Sequence, residues 1–76
     1  MRWVDAPIWV KVARNVKNCR KWKNLSKEQV ASRAKIDLKR YKRIEREVVK
    51  DITIDEAFRM QKAMKVHQEE IIPILD

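Results

Sequence analysis

Ser26-Lys27-Glu28-Gln29-Val30-Ala31-Ser32-Arg33-Ala34-Lys35-Ile36-Asp37-Leu38-Lys39-Arg40-Tyr41-Lys42-Arg43-Ile44-Glu45-Arg46 contains two helix starts in quick succession. Ser26 to Gln29 is a capping box. The Ser hydroxyl accepts from the N–H of Gln29, and the Gln side chain reaches back. Val30, Ala31 and Ala34 then give that helix a short inner face, and it ends near Lys35. Asp37 is a good N-cap for the next helix, Leu38 to Arg46. Tyr41 and Ile44 are its core residues; Lys39, Arg40, Lys42, Arg43 and Arg46 take the opposite positions. Only a short turn around Ile36 separates the pair. Helices joined this tightly cross steeply, and the second can lie in a major groove about 12 Å wide.

The flanks support a helical bundle. Ile8, Trp9, Val12, Val16 and Cys19 recur at helical spacing, with Lys11, Arg14, Lys17 and Lys21 off the stripe. This predicts an amphipathic first helix over about 7–23. Pro7 suits its start, and Asn24 tolerates the left-handed geometry that often ends a helix. Thr53-Ile54-Asp55-Glu56 is a second capping box, with Ile52 and Ala57 at the staple positions. Ile54, Ala57, Phe58 and Met64 mark the expected buried side of a fourth helix. His67 is placed to cap a short fifth helix that Pro73 ends. The expected fold is all-α: a compact bundle of about five short helices containing a helix-turn-helix.

Size and composition narrow the function. A chain of 76 residues holds one modest core, burying about 60% of the surface its unfolded form exposes. It reads as a single domain over 1–76, with 1–7 as an N-terminal extension. Glycine is absent and prolines number two, which disfavours tight β-hairpins. Cys19 is the single cysteine, so no intramolecular disulfide and no Cys/His metal cluster is expected. No secretory leader or membrane-length apolar run is evident, and a cytoplasmic setting is expected. Charge is uneven. Residues 11–50 hold fifteen Lys/Arg against four Asp/Glu, whereas residues 51–76 hold three against six. A basic block on a structured segment is the footprint of a polyanionic partner.

Leu25 to Ile71 resembles the phage lambda-repressor-like, Cro/CI or XRE, helix-turn-helix family. Leu25-Ser26-Lys27-Glu28-Gln29-Val30-Ala31 is similar to the family's "LSQEELA" opening. Lys35-Ile36-Asp37 stands where "G-V-S" is usual, and Tyr41 to Arg46 matches "ISRIER". Ile54 to Val66 fits the "LETLLKIAKALGV" helix. The resemblance implies double-stranded DNA as partner and a sequence-specific transcriptional regulator, a phage or mobile-element repressor acting as a homodimer. By position it implies base contacts from Leu38, Lys39, Lys42 and Arg43, with Arg43 the candidate for a bidentate guanine contact. It implies phosphate contacts from Ser26, Lys27, Arg40, Arg46 and Lys50. Arg20 and Glu45 fall where the family has an ion pair between the first and third helices. Lys35 and Glu47 stand where the family prefers Gly, so either they take left-handed geometry or those turns differ. Gln61 replaces a small core residue.

The remaining residues give no catalytic constellation, cofactor or metal site. Cys19 lacks a His or Asp partner in the sequence pattern and reads as core; His67 is alone. Trp3, Trp9 and Trp22 carry two readings: Trp9 and Trp22 extend the core along the first helix, or the Trp residues form an exposed patch. With Ile72, Ile74 and Leu75, Trp3 and Trp9 form a candidate self-association surface. A small protein-interaction modulator on the same scaffold, docking through the Trp-bearing N-terminus, is therefore the alternative function. No enzyme activity and no membrane binding are expected.

Overall fold

The computed structural model describes residues 7–72. Five helices follow in order: α1 (Ile8–Trp22), α2 (Lys27–Ala34), α3 (Leu38–Glu45), α4 (Ile54–Met64) and α5 (Gln68–Ile71). The described residues contain no strand. Each boundary has a local cause. The Ser26 hydroxyl accepts from the Gln29 N–H at 3.0 Å, and the Gln29 side chain accepts from the Ser26 N–H at 2.8 Å. Thr53 and Glu56 repeat this at α4, each bond at 3.0 Å. Asp37 caps α3 through one carboxylate oxygen, Oδ2, which accepts from Lys39 N and Arg40 N.

The C-termini of α1 to α4 share one device. Asn24, Lys35, Glu47 and Lys65 all sit at φ between 56° and 64°. In each case this residue's N–H and the next one's bond back into the last helical turn, the paired pattern that satisfies orphan carbonyls at a left-handed helix end. Lys35 and Glu47 therefore take the geometry their missing glycines leave open, at roughly 1 kcal/mol each. The residues after the left-handed position are Leu25, Ile36, Val48 and Val66. Leu25, Ile36 and Val66 fold onto the core, whereas Val48 stays 61% exposed.

The core gathers Val12, Ala13 and Val16 from α1, Val30, Ala31 and Ala34 from α2, Tyr41 and Ile44 from α3, and Ala57, Met60, Ala63 and Met64 from α4. Ile71 closes it, and α5 is pinned to α1 by Asn15 Nδ2 donating to the Ile71 carbonyl at 3.1 Å. Met60 and Ala63 belong to the inner face of α4; Ile54 does not, being 64% exposed. Ile8 and Ile54 each open a helix, where the apolar stripe runs past the last packed neighbour. Phe58 is half-buried. Gln61 is accommodated at the core edge by donating to the Val66 carbonyl at 3.1 Å.

Candidate nucleic-acid interface

Two ion pairs fix α3 in the bundle. Arg20 reaches from α1 to Glu45 in two parallel bonds, Nε to Oε2 at 2.7 Å and Nη2 to Oε1 at 3.1 Å. Its third arm donates to the Leu25 carbonyl at 3.0 Å, so one guanidinium joins the end of α1, the turn before α2, and α3. Both partners are largely shielded, with side-chain exposures of 12% and 3%. The buried Tyr41 hydroxyl donates to the same carboxylate. Burial, then the bond to Glu45, pushes the Tyr41 phenol far above its usual range and keeps it a donor. The bond to Glu45 also raises Arg20. The second pair joins Arg40, in the first turn of α3, to Glu56 in the first turn of α4. Nε lies 2.6 Å from Oε2, and Nη2 lies 2.8 Å from Oε1.

With its inner face so held, α3 and the residue that caps its C-terminus turn four cations outward. Lys39, Lys42, Arg43 and Arg46 are exposed and line one shallow trough. None has an acidic partner among the described residues. Four uncompensated charges within two turns repel one another, an arrangement that costs stability unless an anion covers it. A second groove runs beside the trough between α3 and the loop before α4. Asp37, Lys39, Arg40, Arg43, Val48, Val49, Lys50 and Asp51 line it. Ser26 lies at the start of α2, its backbone N–H used by the capping box and its hydroxyl proton still available to an acceptor. The N–H groups of Lys27 and Glu28, in the first helical turn, have no intrahelical acceptor.

A family model described as helix-turn-helix matches residues 16–71, more than half of the chain. The chain belongs to the lambda-repressor-like (XRE-type) helix-turn-helix family. It is thereby placed among DNA-binding regulators of that type. No curated protein and no solved structure matches it at a significant level. Among the described residues no helix is long and apolar enough to cross a membrane, and no group of His, Cys, Asp and Glu is arranged to hold a metal.

Of the residues the sequence assigned to base edges, Lys39, Lys42 and Arg43 share the trough, while Leu38 is half-buried against the core at the helix start. Of those assigned to phosphates, Arg46 shares the trough and Lys50 is exposed on the loop; Ser26 and Lys27 open α2. Arg40 stands apart because its guanidinium is closed on Glu56. Sequence reasoning missed Glu56 as Arg40's partner, since it appeared there only as part of a cap. It also missed Val48, an exposed apolar side chain in the basic groove. Trp22 is 72% exposed with Lys23 Nζ 5.0 Å from its ring centre, which removes it from the core. Trp9 is half-buried. It and Ile72 line a small apolar groove with Ile8, Val12, Ile52, Ile54 and Ala57, on the α1–α4 side. Trp3, Ile74 and Leu75, the other candidate self-association residues, lie outside the described residues, as does Pro73.

Proposed function

We propose that this chain is a sequence-specific regulator that binds double-stranded DNA with α3 in the major groove, a phage or mobile-element repressor acting as a homodimer in the cytoplasm. The observation that carries the reading is the four-cation face of α3, free of counter-charge among the described residues. Lys39, Lys42 and Arg43 meet base edges; the Arg43 fork matches guanine O6 and N7. The open edge of Leu38 is available to a thymine methyl. Lys27, Arg46 and Lys50 meet phosphates, and the Ser26 hydroxyl with the first amides of α2 holds one more. Val48 adds an apolar contact beside Arg43. Repression follows the family habit, which favours repressors over activators.

Fluorescence anisotropy with a labelled duplex over a range of salt concentrations tests the reading. With three phosphate-paired cations, log K falls with log salt at a slope of roughly −3 per protomer. Lys42→Ala weakens binding to every duplex. Arg43→Ala also narrows the gap between preferred and random sequences, by about 1–3 kcal/mol. Equal, weak binding of all duplexes defeats the specific reading.

Trp22 and the groove around Trp9 and Ile72 favour a second reading, a protein-interaction modulator on this scaffold. One protein partner bound stoichiometrically, with no duplex bound at low salt, is the outcome that selects it.

A further inference from the structure

We infer that Arg40, although carried by the recognition helix, is a positioning residue that Glu56 holds off the DNA backbone, so that the pair sets the place of the α3–α4 loop against α3 and contributes no phosphate contact. The inference rests on the DNA-binding reading above.

The carboxylate of Glu56 is fixed before Arg40 arrives. Its Oε1 accepts from the Thr53 N–H at 3.0 Å and from the Thr53 hydroxyl at 3.4 Å, because Glu56 closes the capping box of α4. The side chain is 10% exposed, so it stays where α4 puts it. Arg40 then docks edge-on through Nε and Nη2, the fork-to-fork geometry that makes such pairs strong and directional. Nη2 also reaches the Asp51 carbonyl at 3.3 Å and Asp51 Oδ1 at 3.5 Å. One guanidinium therefore ties the first turn of α3 to the loop at Asp51 and to the start of α4. The loop so placed carries Val48 and Lys50, which line the groove that Lys39 and Arg43 form on the other side. Among the described residues no other ion pair joins α3 to this loop.

Exchange of Glu56 for a phosphate is unfavourable on the same geometry. Arg40 trades one bidentate anion for another at best, while Glu56 is left charged, shielded and unpaired beside a polyanion. The pair as it stands is neutral and releases no counterions. It therefore leaves the salt dependence to Lys27, Arg46 and Lys50 while fixing where Lys50 stands.

Salt-dependent binding of one preferred and one random duplex, measured for wild type, Arg40→Ala, Glu56→Gln and the double variant, tests this. Gln keeps the capping box, and thermal melts by circular dichroism verify that each variant is folded. Arg40→Ala should leave the salt slope unchanged but reduce the ratio of preferred to random binding several-fold. Glu56→Gln should free Arg40, steepening the slope by about 0.9 and tightening random-duplex binding. The double variant should lose that steepening. A slope shallower by about 0.9 in Arg40→Ala would show that Arg40 meets a phosphate directly and overturn the inference. An unchanged slope in Glu56→Gln would overturn it too. A wild type with no salt-dependent duplex binding would instead sink the DNA reading beneath it.

Discussion

Replacing Glu45 by Ala tests what holds α3 in the bundle. The substitution strips Arg20 of both carboxylate bonds and leaves only the Leu25 carbonyl. Arg20 is 12% exposed, so water restores little of what is lost. Removing one partner of a shielded pair costs about 3–5 kcal/mol. The buried Tyr41 hydroxyl loses its acceptor as well, a loss of about 1–3 kcal/mol when counted alone. Both effects come from one carboxylate and overlap, which puts the expected loss at about 4 kcal/mol. A domain of this length has only about 4–11 kcal/mol in total. Glu45→Ala should therefore retain only about 0–7 kcal/mol, seen as a large fall of the urea midpoint followed by circular dichroism. Glu45→Gln, which keeps an acceptor for Tyr41, should lose about half as much. Combining Arg20→Met, Tyr41→Phe and Glu45→Leu removes every polar side chain of the cluster and should restore most of the stability. A loss below about 1 kcal/mol for Glu45→Ala would refute this account of the cluster.

Three further predictions follow from the helix ends and from Glu56. Lys35→Gly and Lys65→Gly relieve left-handed strain at exposed positions and should each add roughly 1 kcal/mol, raising the melting temperature by about 4–8 °C; Glu47→Gly should gain less, because it gives up the 3.0 Å pair with Arg14. Ser26→Ala and Thr53→Ala each remove an equivalent cap and should each cost about 1 kcal/mol in denaturant, but only Ser26→Ala should also weaken duplex binding. Arg40, followed by the amide of Thr53, lowers Glu56 from 4.5 to about 2. Because the folded carboxyl is the stronger acid, its contribution is complete above pH 4.5 and is lost as pH falls toward 2. With Arg40 one-third exposed and screened by solvent, that contribution is about 1–2 kcal/mol, and Glu56→Gln should flatten the acid limb of the stability profile by that amount.

Local signals carried most of the fold. The two capping boxes, Asp37 and Asn24 each mark a helix end through bonds spanning a few residues, so they are visible in sequence. Lys35 and Glu47 showed only that something unusual happens after α2 and α3; the backbone resolves it as left-handed geometry without glycine. Periodicity misjudged Ile8 and Ile54, because a stripe does not say where the neighbouring helix stops. In the site, the outward cations of α3 were legible from spacing alone, and the place of Arg20 and Glu45 from resemblance. Arg40 and Glu56 were not. Sixteen residues separate them, each has a sufficient local explanation, and only the docking of α4 brings them together.

The central claim is that the cationic face of α3 reads base sequence. Selection of bound duplexes from a random pool, sequenced for the wild type and for Arg43→Ala, tests it most directly. The wild type should enrich a motif with two inverted half-sites, and Arg43→Ala should lose preference at a matched position in each half-site. A wild-type pool that keeps its input composition, despite measurable binding, would contradict it.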